Sequence, residues 1–412
     1  MPRALVLSGP HGLGHTMPAR SFRALFQEAG WTVSAFDSMS LLGRAQRAGQ
    51  GVFTALMTIP GAYDGLHFRH LRTGSALARA MDSAATARAA RALRAELAHE
   101  PADAIISVFA TGAGAAARLK AEATLAAGIP PPLPHTVVFC PDVAAHRLWV
   151  HEGTDLFLVT SQAAAASVRR FLPRAPVAVV PPPVRAAFYA APSRDEARQR
   201  LGIPAGARCA LLIDSGWALA PVAKAAAALA DAGVYVLAVA GRNRRLERDL
   251  RAAAASRERF TPFGFTGEVP ALMAAADLVV SLPGATTCSE ARVVGRPLLL
   301  LDVMPGHGRD NLLHELEQGG ARCCGPGATD IRRAALAMLD TRADGTTAAD
   351  SNILGAGAVA GQNRRPPRWE PAYVAALARI GLDLRTKQED ATPGQDAKPG
   401  REGRKENAYP LP

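Results

Sequence analysis

The stretch VVPPPVRAAFYAAPSRDEARQRLGIPAG, residues 179–206, lies between two series of apolar runs of similar design. Pro181, Pro182 and Pro183 lack the backbone N–H group that a central strand donates, so they predict a stiff linker rather than a strand. The sequence of 412 residues is also longer than one ordinary domain. We therefore expect two domains in tandem, joined near residue 183.

Short apolar runs alternate with alanine-rich helical stretches on both sides of this linker. Before the linker the runs are RALVLS, TVSAF, DAIISVF, HTVVFC, DLFLVT and VAVVP. After it they are RCALLIDSG, VYVLAVAG, ALMAAADLVVSLPG and RPLLLLDVMPG. Near-continuous apolar runs bounded by Gly, Pro or Asp are typical of parallel strands buried on both faces. The pattern predicts an α/β fold with two parallel sheets, whose strand ends face a shared ligand-binding cleft.

The expected regions of the chain are residues 1–183, 184–340 and 341–412. The third region is rich in Gly, Ala and Asp and then in charged residues, which predicts a partly disordered tail. Within it, EPAYVAALARIGLDL is compatible with one helix.

The charge of the chain points to an anionic partner, since the formal net charge is +11. The basic apolar segment 44–94 holds eight arginines against Asp64 and Asp82, together with the apolar piece GVFTALMTIPGAYDGLHF. This mixture predicts contact with an anionic membrane surface, the alternative being a solvated helix face with a core-facing stripe. The sequence has no recognisable nucleic-acid-binding module, so no nucleic-acid partner is expected.

Other sequence-wide features narrow the compartment and the chemistry. No apolar run of about 18 residues and no leader is recognisable, so we expect a cytosolic protein, with peripheral attachment to the inner face of the cell membrane as a further hypothesis. Five scattered cysteines argue against a disulfide framework, and none has zinc-site spacing. We expect neither a metal nor a cofactor.

The first candidate site is the loop GPHGLGHTMPA, which follows the first apolar run. A dinucleotide fingerprint needs a third glycine where Met17 stands, so that interpretation is disfavoured. Gly14 lets a ligand approach the backbone. His15, expected just before a helix starts at Pro18, could accept a proton near pH 7, the alternative being a turn-forming histidine.

The second candidate site lies in SLPGATTCSEARVVGRPLLLLDVMPGHGRDN. Gly284 opens a helix after a strand, and its free N–H groups with the hydroxyls of Thr286 and Thr287 suit a diphosphate. Glu290 could accept two ribose hydroxyls through its two oxygens, the alternative being an ordinary helix-surface acid. The next turn, starting at Gly306, could place polar side chains against a sugar.

The motifs GLGHTMPA, PGATTCSEA and PGHGRDN resemble the signatures of one glycosyltransferase family. That family includes monogalactosyldiacylglycerol synthase, bacterial processive diacylglycerol glucosyltransferases and the peptidoglycan GlcNAc transferase. The resemblance is closest to the diacylglycerol branch, extends to FCPDVAAHRLWVHEGTDLFLVTS and VAGRNRRL, and spans most of residues 5–325. It implies the GT-B fold, in which two Rossmann-like domains face a central cleft.

The resemblance implies an acceptor side in residues 1–183 and a sugar-nucleotide side in residues 184–340. The candidate catalytic residues are His15 and Asp142, either of which would remove the acceptor proton. The candidate acceptor-side residues are Gly14, His146 and Trp149. The candidate donor-binding residues are Gly216, Arg242, Gly284, Thr286, Thr287, Glu290, Gly306, His307 and Asn311.

The sequence departs from the family pattern at several donor-side positions. A lysine frequent before the phosphate helix is Leu282, and the glutamine and glutamate that follow Pro-Gly in the family are His307 and Gly308. The glycine-rich loop is reduced to DSGWALAP, with Gly216 alone. Arg242 and Arg244 are candidates to replace the charge of the missing lysine, the alternative being a solvated role for both.

The resemblance implies inverting transfer of a hexose or N-acetylhexosamine from a nucleotide-diphosphate sugar, expected to be a UDP-sugar, to an acceptor hydroxyl. The expected acceptor is a glycerolipid, and a soluble natural product stays an alternative. A catalytically weakened scaffold that binds nucleotide or membrane, and a sugar-nucleotide 2-epimerase, are the rival hypotheses.

Overall fold

The protein forms two parallel β-sheets of six strands each, both covered by helices. The computed structural model describes residues 1–9, 13–43, 46, 51, 55–56, 59, 61–126, 133–214, 219–343 and 366–384. The predicted α/β class with two sheets is confirmed. Gly216 lies outside the described residues.

The first sheet has the strand order β2-β1-β3-β4-β5-β6, and every neighbouring pair is parallel. Its central strands are buried along their whole length, as near-continuous apolar runs require. The strands are β1 Arg3–Ser8, β2 Thr32–Asp37, β3 Ala104–Ser107, β4 His135–Cys140, β5 Leu156–Val159 and β6 Val177–Val179.

The second sheet has the order β12-β11-β10-β7-β8-β9 and is also parallel. Its order reverses between β7 and β10, which places the ends of β7, β8, β10 and β11 side by side. The strands are β7 Cys209–Ile213, β8 Tyr235–Val239, β9 Phe260–Phe263, β10 Leu278–Ser281, β11 Leu298–Leu301 and β12 Ala321–Cys324.

Helices connect the strands in both domains. Those of the first domain are α1 Leu13–Glu28, α2 Ala62–Leu66, α3 Ala76–His99, α4 Ala110–Ala126 and α5 Gln162–Phe171, with a π-helical turn His67–Leu71 and 3₁₀ turns Ser40–Leu42 and Arg147–Trp149. Those after the first sheet are α6 Ala186–Tyr189, α7 Arg194–Leu201, α8 Val222–Asp231, α9 Arg244–Ala254, α10 Val269–Ala275, α11 Ala285–Val294, α12 His307–Glu317, α13 Ala328–Ala343 and α14 Glu370–Ala378. Among the helices described, none combines the length and the apolarity needed to cross a membrane.

The first helix begins earlier than the sequence predicts. Pro18 was expected to open α1, but the helix starts at Leu13 and contains Pro18. Because proline lacks an N–H group, this helix of 16 residues loses one backbone hydrogen bond. The remaining hydrogen bonds and the packing of the helix outweigh that loss. His15 therefore lies in the first turn of α1 rather than before it.

Residues from the far end of the chain complete the first core. Trp369, Tyr373 and Leu377 of the α14 region are buried against the helices and strands of the first sheet. The indole N–H group of Trp369 donates a hydrogen bond to the Val184 carbonyl at 3.0 Å, at the end of the proline linker. The helix that the sequence allowed in EPAYVAALARIGLDL is present, and it links the tail to the first domain.

We expect Tyr373→Phe to raise the free energy of unfolding by about 1 kcal/mol, measured by denaturant titration. The Tyr373 hydroxyl is fully buried and has no hydrogen-bond partner among the described residues, so removing it ends a desolvation penalty. Tyr189→Phe is the matched control, because the Tyr189 hydroxyl donates to the Pro367 carbonyl at 3.0 Å and its loss should not stabilise. A Tyr373→Phe protein less stable than the parent would contradict the prediction.

Candidate active site

The candidate residues of the two domains converge on the cleft between the sheets. His15 follows β1 and Asp142 follows β4, while Gly306 and the first turn of helix α12, residues 307–311, follow β11. We refer to residues 306–311 as the turn after β11. Helix α1 of the first domain and helix α11 of the second domain contact each other across the cleft. The carboxyl ends of both sheets therefore face one another, which is where open parallel sheets bind ligands.

His15 is held in one defined tautomer. Its Nδ1 atom lies 2.8 Å from the Val108 carbonyl oxygen, and its ring meets the Phe109 ring edge-on at 4.9 Å. A carbonyl can only accept, so Nδ1 carries the hydrogen and Nε2 of the neutral ring keeps the basic lone pair. Gly14, beside it, has open space where a side chain would be. The arrangement suits a proton acceptor at the mouth of the first sheet.

Asp142 lies where the two domains meet. Burial by itself opposes its ionisation, but His307, His15 and the amide of Asn311 hold the pKa of its carboxyl below the ordinary value. The Asn311 amide donates to Asp142 at 3.4 Å, and the Val143 N–H group donates to the Asn311 oxygen at 3.1 Å. Asn311 thus bridges the predicted sugar-facing turn and the predicted acceptor segment.

The other two acceptor-side candidates are buried. Burial, reinforced by the nearby His67, lowers the pKa of His146 to about 3, so the His146 ring is neutral at physiological pH. Trp149 is 2% exposed and packs in the first-domain core, with its ring 6.2 Å from His15 and 6.3 Å from His146. Trp149 therefore packs beside the two histidines, and its acceptor-side role stays a prediction.

The predicted phosphate helix is present. Gly284 is the N-cap of α11, and Thr286 and Thr287 lie in its first turn. The first N–H groups of a helix have no partner within the helix, so this end can accept an anion. Leu282, where the family has a lysine, is buried in the core of the second domain and adds no charge.

Glu290 is not an ordinary helix-surface acid, because it is 5% exposed and paired. Its Oε1 atom lies 3.0 Å from both Nε and Nη2 of Arg185. Burial raises the pKa of Glu290 to about 7, and the Arg185 guanidinium opposes that rise. Sequence analysis missed Arg185, since the two residues are 105 positions apart and no local pattern joins them.

Arg242 follows β8 and is exposed, with its guanidinium 4.9 Å from the centre of the Phe265 ring. It lies at the edge of the second sheet that also carries Gly284. The structure places it at the cleft side but gives it no ion pair among the described residues.

One first-domain segment contacts the predicted sugar-facing turn closely; we call residues 61–74 the docking segment. The Gly306 N–H group donates to an Asp64 oxygen at 2.6 Å, and the Tyr63 hydroxyl lies 3.3 Å from His307 Nδ1. Asp310 accepts from His67 at 3.1 Å and from Arg72 at 2.6 Å.

The docking segment is part of the predicted membrane segment 44–94, of which residues 44–45, 47–50, 52–54, 57–58 and 60 lie outside the described residues. Tyr63, His67 and Leu71 are buried, so this inner face lies against protein. Phe68 and Met81 are exposed, and membrane contact stays a prediction. Sequence analysis missed the docking role, because periodicity cannot tell which element an apolar face will meet.

We expect Gly306→Ala to lower the free energy of unfolding by about 2–4 kcal/mol and to reduce transfer activity. Gly306 has φ +63°, and a Cβ atom there would overlap the Tyr63 ring and separate the docking segment from the turn. Gly295→Ala is the matched control: Gly295 has φ +72° but open space, so only backbone strain of about 1 kcal/mol is expected. Equal losses in the two variants, measured by thermal unfolding, would argue against tight docking.

Comparison with solved structures defines the class. The chain aligns with MurG of Acinetobacter baumannii at 14% identity and a TM-score of 0.51, over 83% of this chain and 92% of MurG. It aligns with UGT89C1 of Arabidopsis thaliana complexed with UDP at 14% identity and a TM-score of 0.55, over 93% of this chain and 100% of that one. The fold is GT-B, as the motif resemblance implied.

Sequence comparison finds a family model that matches part of the second domain. Residues 218–316 match the Glycosyltransferase family 28 C-terminal domain, so this part of the chain is similar to that domain.

Two curated relatives are similar to parts of this chain. The chain is 28% identical over 189 residues to monogalactosyldiacylglycerol synthase 3 of Arabidopsis thaliana, covering 42% of this chain and 40% of that protein. It is 25% identical over 184 residues to the processive diacylglycerol beta-glucosyltransferase of Bacillus pumilus, covering 44% and 48%. The chain thus spans under half the length of these relatives. The resemblance read from the motifs is confirmed, and the roles of individual site residues stay predictions.

Proposed function

We propose that the protein transfers a sugar from a UDP-sugar, bound on the second domain, to a hydroxyl group of an acceptor bound against the first. The observation that carries this proposal is the Asn311 bridge, which joins the turn after β11 to Asp142 and Val143 of the first domain. It brings the predicted donor and acceptor motifs to one place in a GT-B fold. The UDP in one structural neighbour and the sugar-transfer names of the relatives support the same donor and reaction.

The reaction follows from the placement of the charges. His15 Nε2 accepts the hydroxyl proton as the acceptor oxygen attacks the anomeric carbon. The bond between that carbon and the diphosphate oxygen breaks on the opposite face, so the configuration inverts and UDP leaves with the bonding electrons. The Gly284 helix N-terminus stabilises the departing diphosphate, and ionised Asp142 stabilises the imidazolium formed at His15.

The acceptor we propose is the hydroxyl group of a glycerolipid, reached at the surface of an anionic membrane. Both named relatives act on, or form, diacylglycerol lipids. The exposed apolar side chains Phe68, Leu77 and Met81 stand beside exposed Arg69 and Arg79, the combination that an interfacial surface needs. Peripheral attachment through this face would bring the cleft to its acceptor.

Flotation with phosphatidylglycerol and phosphatidylcholine vesicles tests the membrane part. We expect binding to the anionic vesicles at low salt and release as the salt concentration rises, because exposed charges are screened. Absence of binding to phosphatidylglycerol would count against it and would favour a soluble acceptor.

The reaction itself is tested with UDP-glucose, UDP-galactose and UDP-N-acetylglucosamine, each incubated with diacylglycerol in mixed vesicles. We expect one donor to yield a glycolipid of inverted anomeric configuration, identified by mass spectrometry and NMR. Incubation without acceptor separates the rivals: an altered nucleotide sugar would indicate an epimerase. Tight UDP binding with no turnover on any acceptor would indicate a scaffold.

A further inference from the structure

His67 is a buried polar residue that the reaction described above does not use. Its side chain is fully buried between the two domains, although it belongs to the basic segment of the first domain. Its ring lies 5.9 Å from the His146 ring on the acceptor side and 6.4 Å from the His307 ring on the turn after β11. It therefore stands where donor and acceptor halves of the cleft join.

One ring nitrogen of His67 is engaged and the other is not. Nε2 lies 3.1 Å from an Asp310 oxygen, and the same carboxylate is held by Arg72. A carboxylate oxygen accepts from a ring N–H group, so Nε2 carries the hydrogen, and in that tautomer Nδ1 is a hydrogen-bond acceptor. Among the described residues Nδ1 has no hydrogen-bond partner. A buried ring nitrogen normally has a hydrogen-bond partner. A donor group of a bound ligand could therefore supply the partner that Nδ1 lacks.

In the turn after β11, which is predicted to face the sugar, most polar groups already contact the docking segment. Its Gly306 N–H group is taken by Asp64, His307 Nδ1 faces the Tyr63 hydroxyl, and Gly308 has no side chain. The docking segment occupies these positions, and the unpartnered His67 Nδ1 lies beside them, with its ring 6.4 Å from the His307 ring.

From this geometry we infer that His67 is a specificity-determining residue for the donor. We propose that its Nδ1 accepts a hydrogen bond from a hydroxyl group of the transferred sugar, with Asp310 as the positioning residue that sets the ring tautomer. This inference rests on the proposed function, because it takes the turn after β11 as the sugar-facing one. A sugar with its hydroxyl group placed elsewhere, or missing, would leave a buried acceptor unpaired, which is how polar sites discriminate strongly.

The test compares kcat/KM across UDP-glucose, UDP-galactose and the monodeoxy derivatives of the preferred donor. In the parent protein we expect one hydroxyl group whose removal lowers kcat/KM about tenfold or more. In His67→Ala that same removal should have an effect of less than about twofold, because the partner is already gone. The UDP affinity, which involves no sugar, should stay within about twofold of the parent value.

Two further variants separate recognition from structure. His67→Asn should restore part of the discrimination, since the amide oxygen of asparagine can lie near the position of the imidazole Nδ1. It also serves as the test should His67→Ala not fold. His70→Ala is the matched control: the His70 Nδ1 atom lies 3.0 Å from the hydroxyl oxygen of Ser75, the N-cap of α3, and loss of this ring should leave donor discrimination unchanged.

Two outcomes overturn the inference. One is a His67→Ala protein that keeps the parent's sensitivity to every deoxy donor. The other is an equal fall in UDP affinity and in kcat/KM for all donors, which would make His67 purely structural. Both are distinct from failure of the proposed function, which would show as absent transfer by the parent protein itself.

Discussion

Replacement of His15 by alanine is expected to lower kcat for sugar transfer about 10²- to 10⁴-fold, with little change in UDP affinity. The loss follows from removing the group that takes the acceptor proton as the new glycosidic bond forms. The Val108 carbonyl holds Nδ1 and leaves Nε2 as the base, so no other nitrogen of the residue can act. Single-turnover measurements with saturating donor would report the chemical step directly.

The matched control for His15 is His99→Ala, an exposed histidine at the end of α3 that should leave kcat unchanged. Imidazole added to the assay is expected to restore part of the activity of His15→Ala, which a merely structural defect would not allow. If a folded His15→Ala protein kept full transfer activity, His15 would not be the base, and Asp142 would be the remaining candidate. Asp142→Asn should then be inactive.

Glu290→Gln is expected to weaken UDP binding about 10- to 100-fold, measured by calorimetry. The carboxylate of Glu290 can accept from both ribose hydroxyls, whereas glutamine offers one accepting oxygen. 2′-Deoxy-UDP supplies an internal control: its binding should already be weaker in the parent and should fall less on substitution. Glu317→Gln, an exposed acid at the end of α12, is the control variant. An unchanged UDP affinity in Glu290→Gln would remove the ribose role.

The same residue predicts a pH dependence of UDP binding. Burial raises the pKa of Glu290 from 4.5 to about 7, and the ionised form is the one that accepts from ribose. UDP affinity should therefore rise as the pH increases from about 6 to 8. Arg185→Met removes the cation that opposes burial, so the midpoint should move to higher pH.

The linked effect on stability has the opposite sign. Because the pKa of Glu290 is higher in the folded protein than in the unfolded chain, its contribution is fully present below about pH 4.5 and is lost as the pH rises through about 7. If the pH midpoint of UDP binding were the same in Arg185→Met as in the parent protein, the pairing of Arg185 with Glu290 would be contradicted.

Much of the fold was predictable because the signals that encode it are local. Apolar runs of β length, separated by helical stretches, predict parallel sheets, and three prolines mark the linker between them. Gly284 and its two threonines mark a helix start within a few residues. The predicted start of α1 was wrong because the local preference of Pro18 for a helix start was outweighed by the rest of a long helix.

The candidate site was predictable only as a set of separate motifs. The amino-acid sequence by itself determined the two sheets, the strand ends at which ligands are expected, and the identity of His15, Asp142, Glu290 and Asn311 as chemically suitable groups. Nothing in their spacing says which tautomer or protonation state each adopts, since those depend on neighbours far along the chain.

The tertiary structure determines which residue each candidate side chain contacts. The Val108 carbonyl, 93 residues from His15, sets the histidine tautomer. Burial raises the pKa of Glu290, and Arg185, 105 residues away, opposes that rise. The docking segment meets the 306–310 turn across more than 230 residues. Such contacts arise when two independently encoded surfaces pack together, and no local pattern records which surfaces will meet. The sequence therefore did not predict that the inner face of residues 61–74, with Tyr63 and His67, contacts the second domain.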